Sequence, residues 1–207
     1  MYIRHFKKIK TQAKETIDGK LWDVWKPALI IGFISMIISV VATSIFGTES
    51  YLGQIVVSLF SLLLVPAEVG YISYMLKFVR KEDYSIDDLK QYYPQIGLLI
   101  VINILIYIFV LLGFICLIIP GIILSFAYTM VFYVFIDNPS LKAKDYLDMS
   151  KKLMDGYKFN YFCFCLSFIG WVLLCCLIIP IIWVVPYITT AQTLYYENLK
   201  ELKNEEI

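Results

Sequence analysis

The chain has 207 residues, of which 60% are hydrophobic and only 17% are charged, and its formal net charge is +1. An average soluble domain has about 45–50% apolar and about 25% charged residues. The core of a chain of this length cannot bury the additional apolar residues, so the composition excludes an ordinary soluble domain. Several runs approach the roughly 20 apolar residues that a helix needs to cross a bilayer, which predicts an integral membrane protein. Residues 100–112 are apolar on every side and lack the alternation of a β-barrel strand, so the predicted fold class is all-α.

Residues 1–26 are predicted to form a cytoplasmic basic amphipathic helix. The apolar side chains recur at steps of three and four, at Ile3, Phe6, Ile9, Ala13 and Ile17. The basic side chains lie largely elsewhere around the helix, at Arg4, Lys7, Lys8, Lys10 and Lys14. A basic residue near anionic headgroups contributes about 1 kcal/mol, so this helix is expected to lie on the membrane surface. A frayed, soluble tail is the alternative.

Six spans are predicted within a membrane domain of residues 27–197, which precedes a cytoplasmic tail of residues 198–207. The spans cover approximately residues 27–46, 51–79, 95–119, 121–136, 157–179 and 181–196. All 18 Lys and Arg residues lie in four segments, which are residues 1–26, 77–90, 142–158 and the C-terminal tail, and none lies in the turns after the first, third and fifth spans. Because basic loops stay on the cytoplasmic side, both termini are expected to be cytoplasmic. A line of small residues in the first span is expected to pack on another span of the same chain: Gly32, Ser35, Ser39 and Thr43.

Prolines mark the expected turns between paired spans. The run Cys116-Leu-Ile-Ile-Pro120 is repeated letter for letter as Cys176-Leu-Ile-Ile-Pro180. Each copy ends one long apolar run and begins a shorter one, and proline fits the first turn of a helix but not its interior. The architecture predicted is therefore three helical hairpins, each preceded by a cytoplasmic amphipathic helix. The predicted hinge residues are Pro66, near which the second span is expected to be interrupted, together with Pro120, Gly121 and Pro180. Such turns either line a cavity or mark a locally thin bilayer.

Three polar residues inside the predicted spans form the candidate intramembrane site. Glu68 is the only acidic residue deep inside a predicted span. An ionisable group at that depth either binds or relays a proton or cation, or forms a structural hydrogen bond between helices. Asn103 and Gln192 are expected to form interhelical hydrogen bonds. The many tyrosines after the prolines are expected to anchor the interface, and an aromatic-lined groove is the alternative.

The sequence contains no pattern typical of an active site. Its single histidine, His5, lies in the amphipathic helix, which excludes a Ser-His-Asp arrangement within the membrane. Neither a phosphate-binding Gly-rich loop nor a metal-ligand cluster is visible, and the five cysteines lie inside apolar runs where buried apolar side chains are the expected role. We therefore predict no catalytic residue, no cofactor, no metal site and no nucleic-acid partner.

Several ordered motifs carry a resemblance to a known family, strongest from Gly97 onward. They are Gly113-Phe-Ile-Cys-Leu-Ile-Ile-Pro-Gly-Ile-Ile-Leu-Ser-Phe-Ala-Tyr128, Asp137-Asn-Pro139, Ser150-Lys-Lys-Leu-Met154, Phe168-Ile-Gly-Trp171 and Pro186-Tyr-Ile-Thr-Thr190. In these the chain resembles the bacterial membrane proteins of domain-of-unknown-function family 975. That family is similar to the membrane domain that accompanies some glycerophosphoryl diester phosphodiesterases. The resemblance implies a bacterial cytoplasmic membrane and supplies no catalytic residues.

Three functional hypotheses follow from the sequence. The leading one is a non-enzymatic accessory or protective component of the envelope that contacts anionic membrane lipids and a membrane-protein or peptide partner. The alternative is a small transporter or channel in which Glu68 is an intramembrane ionisable site. The third is a lipid-modifying membrane enzyme, which would need reactive groups at the level of the headgroups.

Overall fold

The computed structural model describes residues 2–47, 50–175 and 180–205. Within these residues the chain forms helices joined by short turns, with no strand. The α-helices are α1 (Tyr2–Ile17), α2 (Leu21–Phe46), α3 (Tyr51–Arg80), α4 (Ile96–Cys116), α5 (Ile118–Tyr128), α6 (Val131–Asp137), α7 (Ala143–Leu153), α8 (Lys158–Leu166), α9 (Ile169–Leu174) and α10 (Ile181–Glu205), and two 3-10 turns, Ile86–Lys90 and Tyr93–Gln95, precede α4. The predicted all-α fold class is confirmed.

Four helical segments of the described chain are long and apolar enough to cross a membrane. They are α2, α3, Ile86–Cys116 and Ile118–Asp137. A fifth exists only if α7 and the helical residues 158–174, which are bent by 76° at their junction, count as one span. The six predicted spans are therefore not confirmed. The apolar part of α10 ends near Tyr196 and supplies about 24 Å of helix, which falls short of about 30 Å of hydrocarbon.

The molecule divides into two parts that differ in the exposure of their apolar side chains. The apolar half consists of α2, residues 51–63 of α3, residues 103–116 of α4 and most of α5. Its large apolar side chains are mostly exposed, and Ile115 at its tip is 71% exposed. The packed half consists of α1, residues 64–80 of α3, residues 96–102 of α4, α6, α7, α8 and the later turns of α10. Its core side chains are enclosed, and Phe164 is 0% exposed.

The helix α3 belongs to both halves. It has 30 residues, about 45 Å of helix, and it continues through the buried Pro66 without the interruption expected there. A proline inside a membrane helix is tolerated where neighbouring groups satisfy the freed carbonyl. After α3 the chain folds back along it, so that a Cβ on Gly70 would lie 2.6 Å from Leu89 Cα. Lys77 and Asp88 pair at 2.6 Å in the same region, so a charged segment covers the last turns of α3 and leaves about 20 residues for the hydrocarbon.

The α4–α5 hairpin turns at Leu117 rather than at the predicted Pro120-Gly121 break. Leu117 is extended, with φ −168° and ψ 155°, and Pro120 is the third residue of α5. Proline is tolerated at this position because the first turn of a helix makes no hydrogen bond from its backbone N–H groups, so the N–H that proline lacks is not needed. A Cβ on Gly113 would lie 3.0 Å from Gly121 Cα, so the two helix backbones touch. Gly121 therefore serves close packing beside the turn.

The α2–α3 hairpin is closed at its tip by Gly47 and Ser50. Gly47 has a φ of 85°, a conformation that suits glycine, and the Ser50 side chain accepts a hydrogen bond from Gly53 N at the start of α3. A Cβ on Gly53 would lie 3.8 Å from the Ala42 carbonyl oxygen, so the helices meet on this face. Of the predicted line of small residues, Gly32 makes no such contact, because no described atom outside its own stretch of helix lies within 4 Å of a Cβ built on it.

The amphipathic helix α1 packs on protein. Ile9, Ala13 and Ile17 are 1%, 0% and 7% exposed, and α1 runs along α10. The Phe6 and Phe164 rings lie 5.6 Å apart, which joins α1 to α8. The amphipathic pattern is confirmed as a helix, but its apolar stripe is covered by other helices and is not free to enter lipid.

Candidate functional site

Glu68 lies near the boundary between the two halves. It is exposed on the surface of α3, and its carboxylate forms no hydrogen bond or ion pair with any described residue. It is two residues, about 3 Å along the helix, from Gly70, where the charged segment with Asp88 and Leu89 packs. The structure therefore places Glu68 close to the charged end of the span, whereas the sequence placed it deep inside.

Asn103 and Gln192 do not form the interhelical hydrogen bonds expected of them. Both are half-buried, on α4 and α10 respectively, and neither side chain has a hydrogen-bond partner within the described residues. No hydrogen bond joins either of them to Glu68 in that part of the chain. The three predicted polar residues lie on three different helices, and no hydrogen bond among the described residues joins them.

A network of charged side chains fastens α3, α6 and α10 together at the packed end. Oδ2 of Asp137 lies 2.9 Å from Nη2 of Arg80 and 2.6 Å from Nζ of Lys200, and it accepts a hydrogen bond of 2.9 Å from the Tyr196 hydroxyl. Arg80 also pairs with Glu197 at 2.6 Å. The Asp137 side chain is only 8% exposed, so its interactions are protected from solvent.

The sequence did not reveal this network. Its contacts join positions 57 to 117 residues apart, and no local spacing relates them. The available signal was that Arg80 and Asp137 each end a long apolar run. Two charges at the same end of adjacent helices are candidates for an ion pair.

The tyrosines that were expected to anchor the interface are mostly core residues. Tyr133 and Tyr196 stack with ring centres 4.8 Å apart and are 8% and 2% exposed. Tyr195 packs against Phe164 at 4.8 Å and its hydroxyl donates to Asn160 Oδ1 at 3.0 Å. These rings fill the packed half and do not line a groove.

The basic residues of α1 have different environments. Lys7, Lys8 and Lys14 are exposed, whereas Lys10 donates to the Ser167 carbonyl oxygen at 2.8 Å and lies 4.3 Å from the centre of the Phe168 ring. Burial lowers the pKa of Lys10 below its usual value. Lys10 therefore ties α1 to the start of α9. The Arg4 side chain lies outside the described residues.

The start of α10 is fastened to α2. The Pro180 carbonyl accepts from Val184 N at 2.9 Å in the first turn of α10, while the preceding residues 176–179 lie outside the described chain. The indole N–H of Trp25 donates to the Ile182 carbonyl oxygen at 2.8 Å. Because Trp25 is in the first turns of α2, the beginning of α10 lies beside the beginning of α2.

These contacts leave an open groove of about 310 Å³ between the α1–α2 turn and the helices α9 and α10. Ile17 and Val184 form its floor, and aromatic rings form one wall. Besides Ile17 and Val184, the groove is lined by Lys14, Asp18, Trp171, Trp183 and Tyr187. The sequence named Lys14 for its charge but did not place it beside the aromatic residues, which are more than 150 positions away.

The described residues contain no group of three or more His, Cys, Asp or Glu side chains that could hold a metal ion. The cysteines that they include are free thiols, with Cys116 exposed and Cys163, Cys165 and Cys175 half-buried. The expectation of a buried thiol is therefore wrong for Cys116, whereas the other three are partly covered and Cys165 packs against the main core. Cys176 is outside the described chain.

No curated protein and no solved structure matches the chain. A family model, described as protein of unknown function DUF975, matches residues 95–203. The match takes in α4 to α10 almost entirely, including the Gly113–Gly121 contact and the α6 and α10 members of the Asp137 network, but not Arg80. Because it spans just over half of the 207 residues, the chain belongs to the DUF975 family.

Proposed function

We propose that this protein is a non-enzymatic accessory or protective component of a bacterial cytoplasmic membrane, acting through contacts with lipids and with a partner. The observation that carries the proposal is the division of the molecule. The apolar half exposes large apolar side chains, such as Ile115 at 71%. The helices of the packed half are joined by the Asp137 network. Such an arrangement supports a protein that is embedded by one half and presents a rigid surface with the other.

The proposed topology places the packed half and both termini in the cytoplasm. All basic loops then lie on one side, as the positive-inside rule requires. The six-span arrangement and an arrangement of four crossings with a re-entrant third hairpin both satisfy that rule. The bond between Trp25 and Ile182 supports the second arrangement, because it holds the start of α10 beside the cytoplasmic end of α2.

Cysteine labelling of intact cells tests this topology in a variant whose native cysteines are replaced. We expect Ser50→Cys and Leu117→Cys to react with an impermeant reagent, and Lys151→Cys to react only after permeabilisation. Pro180→Cys is expected to resist external labelling, whereas six crossings would make it reactive. External labelling of Lys151→Cys would contradict the cytoplasmic placement and the functional proposal with it.

The polar groups of the apolar half support an accessory role over a conducting path. Thr43, Ser58 and Ser125 each donate to the carbonyl oxygen four residues earlier, at 2.8 to 2.9 Å. Hydroxyls engaged within their own helices offer little to a permeating solute. The resemblance to the membrane domain that accompanies some glycerophosphoryl diester phosphodiesterases also fits the proposal, because such a domain serves another protein.

The functional test is crosslinking in native membranes followed by purification of the full chain. We expect one specific partner protein to be recovered at a constant ratio, and we expect that ratio to fall when exposed residues of the packed half, such as Lys151 and Lys152, are reversed in charge. Recovery of the chain alone under all crosslinking conditions would contradict the accessory role.

The second candidate, a small transporter or channel, is favoured by one observation. Glu68 is a carboxylate at the edge of the hydrocarbon with no ion-pair partner among the described residues. An uncompensated carboxylate in that position is costly unless it is protonated or binds a cation. A flux of protons or cations into vesicles containing the purified protein, abolished by Glu68→Gln, would establish this candidate and displace the first.

A further inference from the structure

The groove beside the α1–α2 turn combines an apolar floor, an aromatic wall and a charged rim. Ile17 and Val184 are 7% and 2% exposed at the floor. Trp171 packs edge-to-face on Tyr187 with ring centres 5.8 Å apart, and Trp183 is 52% exposed. A volume of about 310 Å³ is at the lower end of ordinary small-molecule sites, which suits a headgroup with the first part of an acyl chain.

The rim carries one positive and one negative side chain that are not paired with each other. Lys14 and Asp18 both line the groove, are exposed, and form no ion pair or hydrogen bond with any described residue. Lys14 lies in the last turn of α1, and Asp18 is the first residue after the helix, in the turn that leads to α2. Both charges are therefore free to bind groups of the opposite sign.

The groove is held in place by contacts on both sides. Lys10 fixes α1 to the start of α9 through the Ser167 carbonyl, and Trp25 fixes α2 to the start of α10 through the Ile182 carbonyl. These hydrogen bonds preform the concave surface, so a ligand does not need to order it. Indole and phenol rings at such a position are typical of the membrane interface, where headgroups meet acyl chains.

We propose that this groove binds one amine-bearing phospholipid of the phosphatidylethanolamine type, with its phosphate at Lys14, its ammonium at Asp18 and an acyl chain against Trp183. The separated charges of the rim match the zwitterion, whereas an anionic headgroup without an amine would face Asp18 unfavourably. The proposal rests on the membrane location in the proposed function and adds a specific ligand and site.

The test is native mass spectrometry of the delipidated full chain, offered equal amounts of phosphatidylethanolamine, phosphatidylglycerol and phosphatidylcholine. We expect one phosphatidylethanolamine to be retained in preference to the other two. Lys14→Glu should lower its retention by about threefold or more, the scale of one partly exposed ionic contact. Lys8→Glu, on an exposed part of α1 outside the groove, should leave retention unchanged.

Asp18→Asn separates recognition of the amine from general lipid binding. It should reduce the preference for phosphatidylethanolamine over phosphatidylglycerol while the protein keeps its helical circular dichroism. Equal retention in Lys14→Glu and Lys8→Glu, or an unchanged preference in Asp18→Asn, would overturn the proposal. Those results would not bear on the recovery of a crosslinked partner. Conversely, failure to recover a partner would contradict the accessory role without bearing on the lipid site.

Discussion

The two parts of α3 show how the two halves of the molecule differ. In residues 51–63 the apolar side chains face outwards, and Leu52 and Leu59 are 63% and 58% exposed. In residues 64–80 they face other helices, and Val69 is 0% exposed. Both segments are rich in apolar residues, so hydropathy alone does not distinguish them. The difference teaches that apolar side chains of one helix are covered by other helices in one half and left exposed in the other.

The largest loss of stability is expected from breaking the charge network of the packed half. Asp137→Ala leaves the Lys200 ammonium and the Tyr196 hydroxyl without their acceptor and takes one of two carboxylates from Arg80. Removing one member of a buried ionic network costs about 3 kcal/mol. The midpoint of unfolding in mixed micelles with increasing dodecyl sulfate should fall accordingly.

The control for this network is an exposed ion pair on the same side of the protein. Asp87 is 89% exposed and lies 3.9 Å from Lys90, so Asp87→Ala should leave the unfolding midpoint unchanged. An equal loss in the two variants would show that the buried position of Asp137 contributes nothing.

A pair of substitutions on α4 tests the division between the halves directly. Ile102→Ala removes a side chain that is 0% exposed and should destabilise the protein by about 2–3 kcal/mol through the cavity it leaves. Ile115→Ala, at 71% exposure, should have almost no effect, since lipid fills the space in both the folded and the unfolded state. Comparable losses in the same micelle assay would contradict the proposed boundary.

A pair of glycines on α3 and α2 makes the same comparison by adding a methyl group. Gly70→Ala would place its Cβ 2.6 Å from backbone atoms of Asp88 and Leu89 and should cost about 2 kcal/mol. Gly32→Ala meets open space and should be neutral or slightly stabilising, because alanine favours the helix. A neutral Gly70→Ala would mean that the charged segment does not lie against α3.

The smallest effect is expected from the hydrogen bond between α2 and α10. Trp25→Phe keeps an aromatic ring but removes the donor to Ile182 and should cost about 1 kcal/mol. Hydrogen exchange of the amides at the start of α10 should become faster. Trp22 is 70% exposed and forms no side-chain hydrogen bond with the described residues, so Trp22→Phe is the matched control and should leave that exchange unchanged.

The sequence predicted the membrane class, the helical fold and the approximate limits of the first two spans, because hydropathy and the positions of charged residues are local properties. It predicted the turn of the second hairpin to within three residues. The error arose because proline is tolerated at any position in the first turn of the helix that follows the break. The third hairpin is not confirmed, since α7 and the helical residues 158–174 are bent by 76° at their junction. An apolar run of this length is the same in a crossing helix and in a helix that packs on protein.

The candidate site residues show the same limit. Lys14 was named for its charge and lies in the groove, while Glu68, Asn103 and Gln192 were named together and lie on three different helices with no hydrogen bond between them in the described chain. Side chains of α1 and α10 meet only because the chain folds back on itself, and a single sequence does not indicate which distant segments pack together.

The amino-acid sequence by itself determined that this protein is helical and that several of its helices are long and apolar enough to cross a membrane, because the cost of placing charge or unpaired backbone in hydrocarbon depends on composition and order alone. The tertiary structure decided which apolar side chains other helices cover, which charges meet around Asp137, and where a groove with two unpaired charges opens. These depend on contacts between distant segments, whose free energy appears only when the helices are packed.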